Sequence, residues 1–293
     1  MRASRSALIG ISSGEAYRAF GSPDPPIPRS PDGKEAVVRR ATLATTVMLL
    51  AVLLAACGRG AQEPSDPPAS AAPAATTLPK GSQPVKLDPA QFTTRIDNPY
   101  WPMTPGSRWV YRETDANGET QRVEVTVTDQ TRTIIGIQAR VVHDKATTAD
   151  GALVEDTLDW YAQDAKGNIW YLGEDTKEYE NGKVSSTEGS WEAGVDGAQP
   201  GILLPADPKR TMAYRQEYYK GQAEDAAQVL SLDMRAKVPA GLFDQVLVTK
   251  DYTPLEPNLL EHKFYAPGVG PVLAITVKGG SSRAELLRFE HAP

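Results

Sequence analysis

Over the last two thirds of the chain, apolar and polar residues alternate. Arg122-Val123-Glu124-Val125-Thr126-Val127-Thr128 alternates strictly, which sets its valines on one face of a strand. Ile135, Ile137, Ala139 and Val141 keep the same period of two. So do Leu230, Leu232 and Met234, then Val246 and Val248, then Leu273, Ile275 and Val277. Turn residues fall between these runs: Asp115-Ala116-Asn117-Gly118, Ala149-Asp150-Gly151, Asp164-Ala165-Lys166-Gly167-Asn168, Glu180-Asn181-Gly182-Lys183 and Lys278-Gly279-Gly280-Ser281. Asn181-Gly182 is the strongest hairpin signal, because a type I′ turn needs positive φ at both central positions. Short strands joined by tight turns predict one antiparallel, mainly β domain over residues 91–293. About ten strands in roughly 200 residues must curl into a sandwich or half-barrel to hide their faces and edges. The best helical candidate is short, around Ala223 to Val229. No internal repeat of fixed length is present.

The chain before this domain is of another kind. Residues 1–36 are rich in Pro, Ser, Gly and Arg, without apolar period. Residues 58–90 are similar and include Pro67-Pro68-Ala69-Ser70-Ala71-Ala72-Pro73-Ala74-Ala75. Such segments bury too little apolar surface to offset chain entropy, so 1–36 reads as a disordered extension and 57–90 as a solvated tether. Between them, Lys34, Arg39 and Arg40 precede the apolar run Thr46-Val47-Met48-Leu49-Leu50-Ala51-Val52-Leu53-Leu54. Ala55-Ala56-Cys57-Gly58 follows. A basic start, a short apolar run and small residues before a cut predict a secretory signal over residues 37–56. The alternative is an uncleaved anchor, since the uncharged stretch from Ala41 to Gly58 is borderline for spanning a bilayer. A polar extension ahead of a signal peptide is unusual. It suggests that Met1 is a mis-assigned start and that translation begins near Val37 or Val38.

Leu54-Ala55-Ala56-Cys57 resembles the bacterial lipobox residue for residue. That resemblance implies cleavage between Ala56 and Cys57 and a diacylglyceryl thioether on Cys57. In many bacteria the new amino terminus is also acylated. The implied partners are membrane lipid and the export and lipoprotein-processing machinery. Two or more acyl chains give stable anchoring, where one is marginal. Cys57 is the one cysteine of the chain, so a lipidated form carries neither thiol nor disulfide and is held by its core alone. Removing the seven basic and four acidic residues before Cys57 from the chain's 31 and 37 leaves 24 and 33, a balance of −9. That balance argues against nucleic acid as a partner.

A second resemblance lies in the domain. Asn98-Pro99-Tyr100-Trp101-Pro102-Met103-Thr104-Pro105-Gly106, followed by Trp109 and Tyr111, opens it. Pro239-Ala240-Gly241-Leu242-Phe243 and Tyr265-Ala266-Pro267-Gly268-Val269-Gly270 stand near its end. Together they resemble a group of uncharacterised secreted bacterial β-proteins with a Pro-x-Gly-x-Phe turn and a Tyr-Ala-Pro-Gly-Val-Gly corner. The likeness covers residues 95–290 and implies fold, with no catalytic residues to carry over. A looser likeness, of architecture alone, is to the half-barrels of periplasmic lipoprotein carriers and their anchored receptors, which shelter an acyl chain. Turn chemistry also accounts for these residues: Pro105-Gly106 and Pro267-Gly268 suit the central positions of type II turns.

Catalytic patterns are scarce. His143, His262 and His291 are not spaced with other ligands in a zinc pattern, and no cofactor is implied. Gly189-Ser190-Trp191 lacks the second glycine of a nucleophile elbow. Gly268-Val269-Gly270 precedes a strand rather than a helix, unlike a phosphate loop. The informative stretch runs from Asp144 to Asp196. It holds thirteen Asp/Glu against four Lys, interleaved with Trp160, Tyr161, Trp170, Tyr171, Tyr179 and Trp191. Asp156, Asp159, Asp164, Trp160 and Trp170 are the candidate ligand or cation contacts. Carboxylates beside aromatics suit glycosidases and sugar-binding modules, and oxygen-rich loops can hold calcium. The plain alternative puts the carboxylates on the solvent face of hairpins and the aromatics in the core. The sequence thus predicts a non-enzymatic, lipid-anchored β-domain of the cell envelope that binds an envelope protein or a hydrophobic ligand. A lipid carrier with an apolar groove and a carboxylate hydrolase are the rivals.

Overall fold

A computed structural model describes residues 78–292. The signal peptide, the lipobox Leu54 to Cys57 and most of the tether lie outside the described residues. Sixteen strand segments follow one another: β1 (Phe92–Thr93), β2 (Arg108–Thr114), β3 (Thr120–Ile134), β4 (Ile137–Thr148), β5 (Leu153–Asp164), β6 (Ile169–Glu180), β7 (Lys183–Ser186), β8 (Trp191–Glu192), β9 (Gln199–Leu204), β10 (Ala213–Arg215), β11 (Glu217–Tyr218), β12 (Ala226–Val238), β13 (Gly241–Tyr252), β14 (Leu260–Ala266), β15 (Gly270–Lys278) and β16 (Arg283–Glu290). Every strand pairing among the described residues is antiparallel, as the alternation predicts. The predicted helix at Ala223 to Val229 is instead a bridge and the start of β12, where Ala226 and Ala227 pair with both Arg215–Tyr214 and Tyr252–Asp251. Small residues there fit between two flanking strands, and that packing overrides helix propensity.

Two five-stranded meanders, β2 to β6 and β12 to β16, join where β16 pairs with β2 from Arg283↔Thr114 to Glu290↔Arg108. The sheet then extends from β6 to β9 and β11 at one edge and from β12 to β10 at the other. Thirteen strands lie on this path, and they form a nearly closed barrel rather than a sandwich or half-barrel of about ten strands. The two edges share one stretch of chain. Tyr214 pairs with Ala227 of β12, and Glu217, three residues later, pairs with Pro200 of β9. Closure removes the open edges that a large sheet would otherwise expose.

Arg215 fastens this seam. Its guanidinium donates to the carbonyls of Gly81 (2.7 Å), Gln83 (2.7 Å) and Pro200 (2.7 Å), and its backbone N–H donates to Pro79 O (2.8 Å). Residues 78–90, grouped above with the tether, therefore lie against the barrel, with Leu78, Val85 and Leu87 packed on its core. Composition hides this, because three spaced apolar residues in a Pro-rich run show no period.

The opening motif and the late corner meet in space. Gly268 N–H donates to Pro99 O (2.7 Å), Trp109 Nε1 to Val269 O (2.8 Å) and Tyr111 OH to Pro271 O (2.8 Å). A Cβ on Gly270 would sit 2.7 Å from the Trp101 ring, so only glycine leaves room there. Trp101 is thereby wedged among Trp109, Tyr161 and Tyr265, at centroid distances of 6.5, 6.2 and 6.1 Å.

Asn181-Gly182 forms its predicted turn, with φ of 52° and 72°. Ile135 does not continue a strand as the periodicity predicts. It stands with Gly136 in the two-residue turn of the β3–β4 hairpin, at φ 43° and 44 % exposed. Positive φ is strained for a β-branched residue and comfortable for Asn. Ile135→Asn is expected to stabilise the domain by about 1 kcal/mol, the usual size of such relief. A urea midpoint that moves down in this variant would refute the assignment of strain.

Candidate functional site

The strand register places one face of each strand inside the barrel. Across β4, β5 and β6, the inward columns pair Asp144↔Thr157↔Thr176, Val142↔Asp159↔Glu174 and Arg140↔Tyr161↔Tyr171. A bulge between Trp160 and Tyr161 keeps Tyr171 and Glu174 on the same face. On the opposite wall, Asp251↔Glu261 and Thr249↔Lys263 pair across β13 and β14, with Thr276 opposite Glu261 on β15. The interior thus has an aromatic part around Trp101 and a polar part rich in carboxylates.

The acids in this interior are deeply buried. Asp159 is 0 % exposed and Glu174 2 %. Tyr171 OH donates to Asp159 Oδ1 (2.9 Å), Thr176 OH to Glu174 Oε2 (2.7 Å), and Trp191 Nε1 to Glu217 Oε2 (2.8 Å). The Tyr161 and Tyr171 rings stack at 4.9 Å, and Trp191 meets Tyr171 edge-on at 5.2 Å. Burial pushes the Asp144, Asp159 and Glu174 carboxyls well above the usual range. Repulsion by neighbouring carboxylates adds to the rise, with Glu217 acting most strongly on Glu174 and Glu155 on Asp159 and Asp144. Burial likewise raises the Tyr161 and Tyr171 hydroxyls.

On the far wall, Lys263 Nζ lies 3.3 Å from Asp251 Oδ2, and Thr249 donates to the same carboxylate. Burial pushes Glu261 up to about 8, against the pull of Lys263 and with the push of Asp251, Asp225 and Glu113. Burial by itself would lower Lys263, but Asp251, Glu261 and Asp225 outweigh it and hold the ammonium above its ordinary range.

The seam between β10 and β11 borders a cleft of about 460 Å³. Arg215, Glu217, Tyr218, Glu224, Lys250 and Tyr252 line its polar side. Pro254, Pro257, Leu259 and Leu260 line the other. Both tyrosine rings already carry a cation from the chain: the Arg215 guanidinium is 6.0 Å from the Tyr218 centroid, and Lys250 Nζ is 5.2 Å from that of Tyr252.

The fold does not bring the five sequence candidates together. Asp159 faces the interior. Asp156 and Trp160 lie on the outer face of β5. There Asp156 approaches His143 Nε2 at 3.2 Å, and the Arg132 guanidinium covers Trp160 at 4.2 Å. Asp164 is a turn residue. It accepts from the backbone of Lys166 and Asn168, at 2.9 Å each, and from Trp170 Nε1 at 2.9 Å. Trp170 packs edge-on against Phe92 at 6.0 Å. The reading that carboxylates take the solvent face and aromatics the core holds for most of the stretch, with Trp160, Tyr161, Trp170, Tyr171 and Trp191 all buried, but Asp144, Asp159 and Glu174 are buried against it. Glu174, Tyr161, Tyr171 and Trp191 belonged to the acidic, aromatic stretch, but their convergence was not predicted. Glu217 and the seam cleft had no sequence signal. Among the described residues, no three His, Asp or Glu side chains converge as metal ligands.

No family model matches the sequence, and no curated protein matches it. Among solved structures, an inferred lipoprotein from Parabacteroides distasonis aligns over 65 % of this chain and 98 % of its own, at 15 % identity and a TM-score of 0.37. An inferred exported protein with a YmcC-like fold from Bacteroides fragilis aligns over the same shares, at 16 % identity and a TM-score of 0.37. Both likenesses are too low to carry fold or function across.

Proposed function

We propose that the chain is an exported, non-catalytic binding module of the bacterial envelope, held to the membrane by lipid on Cys57, with its ligand site at the barrel seam. The seam cleft is the observation that carries this reading. It is large enough for a small ligand, it mixes charged, aromatic and apolar groups, and Gly81 of the incoming chain helps to line it. The lipobox Leu54-Ala55-Ala56-Cys57 supports the location.

Among the described residues, the seam cleft and the buried acids favour neither rival. A carrier of acyl chains needs a long apolar groove, whereas this cleft is apolar on one side only. A glycosidase needs two carboxylates flanking an open cleft. The paired Asp159 and Glu174 are instead sealed from solvent.

Two measurements test the reading. Cys57→Ala should release the protein from membranes or stall its precursor, and unchanged retention after a salt wash would refute the anchor. Native mass spectrometry of the intact protein in detergent should show a small non-covalent ligand. An empty barrel after gentle extraction would count against a binding role.

A further inference from the structure

Opposite charges that share a partly enclosed cleft attract strongly, and side chains within reach of each other pair. In the seam cleft they do not. Arg215, Lys250 and Glu224 all line it. The Arg215 guanidinium donates to three backbone carbonyls. Lys250 Nζ rests on the Tyr252 ring, and Glu224 Oε1 accepts from Gly221 N–H at 2.7 Å. Among the described residues, no carboxylate lies within ion-pair distance of Arg215 or Lys250. Arg215 is buried and acts on the cleft through its field. Lys250 and Glu224 are half-buried and can touch a ligand.

Strand register keeps these two charges apart. Tyr252 and Lys250 of β13 stand opposite Ala226 and Gln228 of β12, and Glu224 precedes Ala226 by two residues. Glu224, Ala226, Tyr252 and Lys250 share the outer face, because Ala227, Thr249 and Asp251 between them are buried. Lys250 is therefore level with Gln228, four residues from Glu224, a span of at most about 13 Å in extended chain. Asp225, and Glu217 whose N–H donates to Asp225 O, lie at the Glu224 end and make it more negative. Between the ends, the Tyr218 and Tyr252 hydroxyls have no bond to a described residue. Prolines and leucines of the 254–260 segment form the facing wall. This layout fits a short extended peptide with free termini. Three extended residues span about 10 Å, their amides reach the tyrosine hydroxyls, and their side chains meet the apolar wall. A zwitterionic phospholipid carries the same two charges, but its acyl chains need apolar cover on more than one side.

We propose that the seam cleft binds a short zwitterionic peptide of about three residues, its carboxylate on Lys250 and its ammonium on Glu224. This inference rests on the reading of the seam cleft as the ligand site of a binding module and names its ligand class. Both peptide charges matter, because a ligand lacking one leaves a half-buried protein charge desolvated and unpaired.

The test uses the intact protein in mild detergent. The probe is the tripeptide Ala-Leu-Ala, with its N-acetyl and C-amide forms as controls that each remove one charge. Calorimetry should show saturable binding of Ala-Leu-Ala and at least tenfold weaker binding of either blocked form. Lys250→Met should weaken binding at least tenfold and erase the preference for the free carboxylate over the amide, while keeping the preference for the free amine. Glu224→Gln should do the reverse. The blocked peptides probe the same contacts on the unaltered protein, so the inference stays testable should a variant misfold. Blocked forms that bind as well as Ala-Leu-Ala, variants that keep both preferences, or no binding at all overturn the proposal. If native mass spectrometry then finds another small ligand, a phospholipid included, the peptide class fails and the binding module stands. If it finds none, both fail.

Discussion

Replacing Gly201 with alanine is expected to cost at least about 4 kcal/mol and to unfold much of the population in mild urea, since native domains hold only about 5–15 kcal/mol in reserve. The constraint is space. A Cβ at Gly201 would lie 2.2 Å from Gln216 O and 2.6 Å from Arg215 O, backbone atoms of the strand that closes the barrel. Backbone cannot swing aside as the end of a long side chain can. To admit one methyl group, the stretch from Ala213 to Tyr218 would have to move away from β9. It would lose the Glu217↔Pro200 pairing and the Arg215 bond to Pro200 O at 2.7 Å. The carbonyls of Gly81 and Gln83 would lose their donor with it. Chemical denaturation followed by tryptophan fluorescence reads this directly, because Trp191 is held by Glu217 of the same strand at 2.8 Å. An unchanged midpoint would show that the seam does not limit stability.

The second large effect is a stability that falls as the solution becomes alkaline. Burial raises Glu261 to about 8, and raises Asp144, Asp159 and Glu174 as well. An acid whose folded pKa lies above its unfolded value holds its proton more tightly when folded. Its contribution is complete below the ordinary value and is lost as pH climbs through the folded value. For Glu261 that window runs from 4.5 to about 8, and the loss across it has a ceiling of about 5 kcal/mol. Lys263, Asp251, Asp225 and Glu113 are the charged groups that bear on Glu261.

Opposing groups exist at the surface. The hydrogen bond from Arg108 holds Glu124 low. Burial by itself would raise Glu285, but hydrogen bonds from Arg283 and Arg112 hold it low. These pairs are partly exposed and contribute roughly 0–1 kcal/mol each, lost only on acidification. The melting temperature should therefore peak at mildly acid pH and fall steadily toward pH of about 9, more gently in Glu261→Gln. A melting temperature that climbs through that range would show that the interior acids are stabilised as carboxylates by something the barrel holds.

Much of the architecture is legible along the chain. Period-two alternation in β3 and the Asn181-Gly182 turn specify antiparallel hairpins, because both are local: the pleat fixes the period and the turn fixes the register. The expected location rests on equally local signals, the apolar run and Leu54-Ala55-Ala56-Cys57. The interior is not local. Both faces of β5 mix large apolar and charged residues, with Leu158 and Trp160 on one and Asp159 and Tyr161 on the other. Alternation separates those faces without saying which one turns inward.

Closure made that choice. A strand shared between distant edges curls the sheet so that the face of β5 and β6 that carries Asp159, Tyr161 and Glu174 turns inward. The same closure drew Leu78 to Gln83 onto the seam, turned Ala226 and Ala227 into strand, and set Glu217 beside Glu174 across more than forty positions of chain. What the sequence by itself determined was the hairpins, since neighbours along the chain carry them. What the tertiary structure alone decided was which face of those hairpins turned inward, and the seam cleft, since both depend on strands far apart in sequence meeting.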